Sequence, residues 1–276
     1  MYADLHLHTT ASDGILTPKQ VVLNAKEKGF MAIAITDHDT TAGLAEALIA
    51  GDKYKIEVIP GIELSTLDGD CEIHLLGYYP NVDNIELQQM LKKMIVARKD
   101  RAVKMVKKLN DLGYHLLLDR VKEIAGSEFI GRPHIALALL EKGYIDNISE
   151  AFSDEFIGRG GRAYVERFKL TPSEGIAILL QAQAIPVLAH PGFLSKGPPL
   201  MEDVIMALVD SGLRGLEVFY SKHTSEQVEY YKKIAEDNNL LITGGSDCHG
   251  QNGAINSIGS IKLPYEYVEK LKMEFE

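Results

Sequence analysis

The chain has little cysteine and no long apolar run. Its 276 residues include two cysteines, Cys71 and Cys248, too few for a disulfide framework, so a reducing, cytoplasmic location is expected. A membrane helix needs about 18 consecutive apolar residues, and no stretch approaches that length. Met1 leads directly into a charged strand, so we expect neither a membrane span nor a signal peptide.

The chain also lacks an excess of positive charge and the common motifs of protein nucleophiles. The net charge of −10 opposes tight, sequence-blind binding of nucleic acid over the whole surface, although it leaves room for a local cationic cleft. The sequence contains no Gly-x-Ser-x-Gly, no Cys–His pairing and no Walker loop. Apolar residues make up 46% and charged residues 25%, as in an ordinary globular protein with a full core.

Strands and helices alternate at both ends of the chain, with a purely helical block between them. Periodicity predicts strands at 2–7, 30–36, 57–64, 71–78, 185–189, 215–219 and 240–243. It predicts helices at 17–29, 41–50, 172–182, 200–211 and 224–238, and in the block at 84–112, 117–125, 132–142 and 147–153. This order predicts a parallel α/β barrel, formed by 1–83 and 164–276, with a helical insert at 84–163 that covers the active site.

Most histidines lie in or at the end of a predicted strand, close to an acidic residue. Six of the nine do so, in the segments His6-Leu-His8, Asp37-His38-Asp39, Glu72-Ile-His74, Leu188-Ala-His190 and Asp247-Cys-His249. Imidazole and carboxylate are the ligands of first-row metals, and His6 and His8 point to one face of their strand. Because the carboxyl ends of barrel strands carry function, we expect a metal site at that rim.

The order of these motifs resembles that of the PHP (polymerase and histidinol phosphatase) family of metal-dependent phosphoesterases. The resemblance implies a distorted seven-stranded β/α (TIM-like) barrel with two or three divalent ions (Mn, Fe or Zn). It implies one ion on His6, His8, Glu63 and Asp247, a second on Glu63, His74 and His190, and a third on Asp13, His38 and His249. The nucleophile would be hydroxide from metal-bound water, with no protein nucleophile.

Two acidic residues flank one of these histidines. Asp37 and Asp39 are expected to lie behind the ligands and orient the ring of His38. The alternative is that one of them caps the helix that begins near Thr41.

Candidate substrate contacts come from the insert and the rim loops. In Gly131-Arg-Pro-His-Ile-Ala, Arg132 can fork two hydrogen bonds to a phosphate, and His134 begins a helix whose N-terminus favours anions. The alternative is an ordinary helix start with the arginine in solvent. His223, in a cationic loop, and Arg159 and Arg162, in a glycine-rich loop that could equally be a hinge, are further candidates.

These features resemble the branch of the family that removes the 3′-phosphate of nucleoside 3′,5′-bisphosphates to give 5′-monophosphates. Some members of that branch also trim short single-stranded RNA from its 5′ end, and the lysine- and arginine-rich helix over 91–109 offers a surface that RNA could follow. The alternative is that the basic residues of this helix only face solvent. A phosphatase for histidinol phosphate or another small phosphomonoester, and a non-catalytic metal- or nucleotide-binding regulator, are the competing hypotheses. No membrane and no obligate protein partner are indicated.

Overall fold

The computed structural model describes residues 1–194, 197–250 and 257–275. Its strands are β1 (Tyr2–Leu7), β2 (Ala32–Ile35), β3 (Glu57–Asp68), β4 (Cys71–Tyr78), β5 (Ile185–Leu188), β6 (Gly215–Tyr220), β7 (Leu241–Gly245) and β8 (Leu263–Pro264). Its α-helices are α1 (Pro18–Glu27), α2 (Leu44–Tyr54), α3 (Ile85–Asp111), α4 (Leu118–Ala125), α5 (Arg132–Glu141), α6 (Pro172–Gln181), α7 (Glu202–Asp210), α8 (Ser225–Asp237) and α9 (Glu266–Phe275). A 3₁₀ helix spans Ile148–Phe152.

One mixed sheet bends into a nearly closed barrel, which confirms the predicted fold class. The strands follow the order β7-β6-β5-β4-β3-β2-β1-β8. The ends of β1 and β7 meet where Leu7 bridges to Cys248 and the amide of Asp247 donates to the carbonyl of His6 at 2.9 Å. The carboxyl ends of the parallel strands therefore share one rim.

The sheet differs from the expected parallel one at β4, which runs antiparallel to both β3 and β5. The reason is local: Gly69 and Asp70 join β3 directly to β4, and a connection this short permits only a hairpin. The two-residue strand β8 pairs antiparallel with β1 and makes eight strands where seven were expected. Neither β8 nor α9 was predicted.

Helix starts are encoded locally by capping residues. Thr17 accepts a hydrogen bond from the amide of Gln20, whose side chain bonds back, and Pro18 opens α1. Thr171, Pro172 and Glu174 repeat this arrangement at α6. Within the described residues, no helix has both the length and the apolar character needed to cross a membrane.

The helical block between β4 and α6 packs around an apolar cluster of its own. Met105, Leu109, Ile135, Leu139 and Ile157 are buried there, separately from the clusters of the barrel. This packing is compatible with an insert over 84–163, and that domain boundary stays a prediction.

Candidate metal centre and arginine cavity

The first three residues of the site come from β1 and the turn that follows it. His6 and His8 are both buried, with ring centres 5.1 Å apart. The turn over 9–14 brings the Oδ1 atom of Asp13 to 4.0 Å from Nδ1 of His8. A Cβ atom at Gly14 would lie 2.6 Å from the carbonyl oxygen of His8, so this turn requires glycine.

Glu63 on β3 stands at the middle of the site. Its carboxylate is fully buried and faces imidazoles from four other strand ends. Oε2 lies 3.2 Å from Nε2 of His6, 3.2 Å from Nε2 of His8 and 3.0 Å from Nδ1 of His38, and Oε1 lies 2.9 Å from Nδ1 of His74 and 3.2 Å from Nε2 of His190. One carboxylate thus links all these rings.

The last two residues follow β7. Oδ1 of Asp247 lies 3.1 Å from Nε2 of His8 and 3.6 Å from Nε2 of His6. Nε2 of His249 lies 3.4 Å from Oδ1 of Asp13. The structure therefore brings all the predicted ligands to one place, and we call them the ligand rim: His6, His8, Asp13, His38, Glu63, His74, His190, Asp247 and His249.

Three overlapping groups of the ligand rim have donor atoms close enough for one ion each. They are His8, Asp13, His38 and His249; His6, His8, Glu63 and Asp247; and His38, Glu63 and His74. His190 lies outside these groups, but its Nε2 faces Glu63. The shared members allow neighbouring ions to be bridged.

The rings of several rim histidines are held in the tautomer that a metal needs. Nδ1 of His6 bonds to Oε1 of Glu217 at 2.9 Å, and Nδ1 of His190 and of His249 bond to the carbonyl oxygens of Phe193 and Asp247 at 3.2 and 3.0 Å. Because these partners only accept hydrogen bonds, each Nδ1 carries the hydrogen. Each Nε2 lone pair is then directed at the carboxylates, as in histidines that bind metals.

Several donor atoms of the rim converge on common points without a hydrogen bond, although His74 and His190 bond to Oε1 of Glu63. Nε2 of His6, both ring nitrogens of His8, Nδ1 of His38 and Oε2 of Glu63 are buried without a hydrogen-bond partner. Ligands about 2.0–2.2 Å from one ion lie about 3–3.5 Å from each other. The separations of 3.0–3.6 Å around Glu63 and Asp247 fit that geometry, so the residues fit the divalent ions that the resemblance implies.

The imidazoles and carboxylates of the rim stabilise each other's charged forms. Burial alone would raise the pKa of Glu63, but His38, His6 and His74 hold that pKa well below its usual range. Burial alone would lower the pKa of His8, but Asp247 and Glu63 raise it to about 10. A divalent ion replaces the protons that otherwise neutralise these carboxylates, so binding it releases protons.

Two buried residues behind the rim bond to its ligands. Glu217 on β6 bonds through Oε1 to the ring of His6 and through Oε2 to the amide of His190, at 2.9 and 2.8 Å. The hydroxyl of Tyr220 donates to Oδ2 of Asp247 at 3.0 Å. His190 and Asp247 both have positive φ, 30° and 53°, a conformation that surrounding bonds must hold.

Asp37 and Asp39 have other partners than the one expected. Asp37 accepts from the amide and hydroxyl of Thr9 and from Ser12, and so fixes the turn that carries Asp13. Asp39 accepts from the amide of Ser65 and from two arginines. Within the described residues, neither carboxylate bonds to the ring of His38 and neither caps α2, whose N-cap is Gly43.

A cavity beside the ligand rim is strongly cationic. It has a volume of about 140 Å³, and its walls include Asp13, His38 and His74 of the rim. We call this space the arginine cavity, because four guanidinium groups line it: Arg98, Arg101, Arg132 and Arg167. Arg98 bonds to Asp39 and Ser65, Arg167 to Asp39, and Arg132 lies 3.6 Å from Glu72.

Arg101 is the exception within this cavity. It is 5% exposed, yet it makes no hydrogen bond and no ion pair to any part of the chain that the structure describes. Burial and the neighbouring Arg167, Arg98 and Arg132 hold its pKa well below the usual value. A buried guanidinium that forms no ion pair is costly, so this position is suited to an anionic ligand.

His134 and Arg132 lie as the sequence motif suggested, at the start of α5. Nδ1 of His134 accepts from the amide of Gly131 at 3.1 Å, so the ring hydrogen is on Nε2. Burial lowers the pKa of His134, which keeps the ring neutral and a hydrogen-bond donor.

The other predicted substrate contacts are engaged elsewhere. Arg159 binds Asp70 in the β3–β4 turn, and Arg162 pairs with Glu155 at the surface. In His223, Nδ1 donates to the carbonyl of Val218 and Nε2 accepts from the amide of Gly192. Both ring nitrogens of His223 are therefore engaged within the chain, and its contact with substrate stays a prediction.

A signal for two of the missed arginines was present in α3. The buried face follows Leu87, Leu91, Met94, Arg98, Arg101 and Met105, at alternating spacings of four and three residues. Arg98 and Arg101 thus occupy positions where the helix otherwise buries apolar side chains. The lysines of this helix point outward, so the sequence alone did not distinguish the two buried arginines from its exposed cations.

A larger cleft of about 920 Å³ lies between α2 and the start of α3. Leu44, Leu48, Pro80, Val82 and Ile85 are among its walls, and no member of the ligand rim is. The smaller cavity is the better candidate for the chemistry, because anion-binding and metal-binding groups among the described residues face one space there.

A TIM-like barrel that gathers imidazoles and carboxylates on one rim defines a metal-dependent hydrolase. The model of the PHP domain matches residues 4–171, more than half of the chain. The chain belongs to the PHP family, and it is a metal-dependent phosphoesterase, as the sequence motifs indicated.

Curated relatives match nearly the whole chain. A phosphoribosyl 1,2-cyclic phosphate 1,2-diphosphodiesterase of Eggerthella lenta is 29% identical and covers 94% of this chain and 98% of its own. A 5′-3′ exoribonuclease of Haemophilus influenzae is 31% identical over 89% of each. A 3′,5′-nucleoside bisphosphate phosphatase of Chromobacterium violaceum is 29% identical over 93% and 90%.

A solved structure has the same architecture. A Bifidobacterium adolescentis protein named as a metal-dependent phosphoesterase superposes with a TM-score of 0.92 at 33% identity, over 98% of this chain and 95% of that one. The barrel and its helical segment are therefore both shared with a relative.

Proposed function

We propose that this phosphoesterase hydrolyses the 3′-phosphate of nucleoside 3′,5′-bisphosphates to give 5′-monophosphates, and that it also trims short RNA from the 5′ end. The observation that carries this proposal is the unpaired Arg101 in a cavity shared with the ligand rim. A substrate with two phosphates can place one at the metals and the other among the arginines. A simple phosphomonoester such as histidinol phosphate has no second phosphate to bind the guanidinium of Arg101.

The ligand rim is proposed to hold two or three divalent ions (Mn, Fe or Zn) through its nine residues. When bound, such ions lower the pKa of a water and neutralise phosphoryl oxygens, so no protein nucleophile is required. Glu63 would bridge neighbouring ions, because its two oxygens face different histidines.

The arginine cavity and α5 are proposed to bind the 5′-phosphate. Asp39 fixes the guanidinium of Arg98 through bonds to Nε and Nη2, while Arg101 is left for the ligand. Arg132 and the Nε2–H group of His134 are added at the start of α5. Arg159 and Arg162, engaged with Asp70 and Glu155, are not retained in this proposal.

A second candidate is a sugar phosphate without a base, favoured by the Eggerthella lenta relative that spans almost the whole chain. Phosphoribosyl 1,2-cyclic phosphate also carries two phosphoryl groups, so the arginine cavity does not separate it from a nucleotide. A comparison of turnover on the two substrates distinguishes these candidates.

The test is a substrate panel with Mn²⁺-loaded protein. We expect kcat/KM to be highest for adenosine 3′,5′-bisphosphate, compared with phosphoribosyl 1,2-cyclic phosphate, histidinol phosphate and p-nitrophenyl phosphate. Chelation should abolish turnover and Mn²⁺ should restore it. Lower kcat/KM for the bisphosphate than for p-nitrophenyl phosphate would refute the nucleotide assignment, and preference for the cyclic phosphate would select the second candidate.

A further inference from the structure

A second polar and aromatic surface borders the ligand rim on the side opposite the arginine cavity. In the ring of strands β1 to β7, the strands β5 and β6 lie across from β2. The arginine cavity stands over β2, β3 and β4, because its arginines bind Asp39, Ser65 and Glu72. The loops after β5 and β6 carry Phe193 and Lys222.

Phe193 is an exposed aromatic residue whose backbone is hydrogen-bonded at both its amide and its carbonyl. Its ring is 42% exposed. Its amide donates to the carbonyl of His190, and its own carbonyl accepts from Nδ1 of that rim histidine. The preceding Gly192 is bonded at its amide by His223 and at its carbonyl by Gln227.

Lys222 adds a positive charge to this exposed ring. Its Nζ atom lies 4.3 Å from the ring centre of Phe193, and its side chain is exposed. The surface reaches the metal centre through Tyr220, whose ring centre is 6.1 Å from that of Phe193 and whose hydroxyl bonds to Asp247. A fixed aromatic face beside a lysine is a common binding element for a nucleotide in a single strand.

We propose that Phe193 and Lys222 form a subsite for the nucleotide that follows the scissile phosphate in a 5′-phosphorylated oligonucleotide. This inference rests on the proposed function. With the 5′-phosphate in the arginine cavity and the scissile phosphate at the ligand rim, the chain can continue only away from the cavity. That direction leads over β5 and β6, where the base stacks on Phe193 and the next phosphate meets Lys222.

The reaction is the same for both substrates. The oxygen of water bonds to the phosphorus, the bond from phosphorus to the 3′ oxygen breaks, and the 3′ oxygen gains the proton. A bisphosphate releases inorganic phosphate. An oligonucleotide releases a 5′-mononucleotide and retains the phosphate on the shortened strand, whose first nucleotide occupies the new subsite.

The experiment compares the Mn²⁺-loaded enzyme on adenosine 3′,5′-bisphosphate (pAp) and on the 5′-phosphorylated dinucleotide pApA. The readout is the ratio of kcat/KM for pApA to that for pAp. Phe193→Ala should lower this ratio about tenfold, because stacking of one base is lost. pApA has no phosphate after its second nucleotide, so Lys222→Ala should leave this ratio unchanged. It should lower the corresponding ratio for the trinucleotide pApApA, and that loss should shrink as salt is raised. Lys53→Ala is the matched control, a lysine lying over Tyr54, and should leave the ratio as it is.

The outcomes separate the two proposals. Turnover of pAp without any turnover of pApA, or an unchanged ratio in Phe193→Ala, overturns the subsite and leaves the phosphatase assignment intact. Failure to hydrolyse either nucleotide overturns the proposed function, and the subsite with it.

Discussion

The ligand rim and the arginine cavity face one space but are built in opposite ways. In the rim, imidazoles and carboxylates lie at strand ends and balance one another, and Glu63 alone faces five histidines. In the cavity, cations from helices and loops lie close together, and Arg101 forms no ion pair with any described residue, although Glu72 lines the same cavity. The rim is thus organised for cations and the cavity for an anion. Chemistry and substrate choice are therefore separable by mutation.

The largest effect is expected from Glu63→Gln. It removes the carboxylate that links the rings, so activity should fall by more than the roughly 100-fold typical for loss of an outer partner of a metal ligand. Bound metal, measured by mass spectrometry, should fall in parallel, while calorimetry should still detect phosphate in the arginine cavity. Glu86→Gln, at an exposed position of α3, is the control. Retained metal and activity would contradict the central role of Glu63.

Arg101→Met tests the opposite side of the comparison. A lost charge-assisted contact costs about 1.5–3 kcal/mol, so kcat/KM for a bisphosphate should fall roughly 10- to 100-fold, and much less for p-nitrophenyl phosphate. The free energy of unfolding in urea, without metal or phosphate, should rise by about 1–2 kcal/mol, because a buried unpaired charge is replaced by an apolar side chain. Lys104→Met, exposed on the same helix, is the control. Equal losses on both substrates would show that Arg101 does not select the second phosphate.

Glu217→Gln should affect the rim more mildly. The amide group of glutamine can donate to Nδ1 of His6, which favours the tautomer whose Nε2 carries the hydrogen and cannot bind a metal. Affinity for Mn²⁺, measured against a competing chelator, should fall about 10- to 100-fold. Glu226→Gln, exposed in α8, should match the parent. Unchanged affinity would mean that Glu217 only fills the core.

The smallest effect is expected from Arg162→Ala. Its ion pair with Glu155 joins two side chains that are about half exposed, and such pairs contribute little, so kcat/KM should stay within about twofold. A tenfold loss would show that this loop reaches the substrate, and Arg162 would then join the arginines that bind phosphate.

The sequence predicted the rim far better than the cavity. Most rim residues belong to short local motifs at strand ends, which period-two alternation and strand order bring together. His74 is the exception, because it lies within β4 and reaches the rim through the antiparallel pairing of β3 with β4. Arg132 was found through a local motif as well. Arg98, Arg101 and Arg167 were missed because each is surrounded by other charged residues, and only packing decides which of them turns inward.

The fold shows the same division. The strand boundaries of β1 and β4 were predicted to the residue, since apolar alternation and turn residues are local. The antiparallel course of β4 was not predicted, and β8 was missed because two residues carry no periodic pattern.

The sequence by itself determined the metal chemistry, because the residue types and their order at strand ends leave few other uses for so many buried imidazoles. Only the tertiary structure decided which cations face the metals. Among the described residues Arg101 has no hydrogen-bond or ion-pair partner, whereas Arg159 and Arg162 are bound to nearby carboxylates. The physical reason is that charge pairing is a property of distances across the fold, and sequence spacing does not contain those distances.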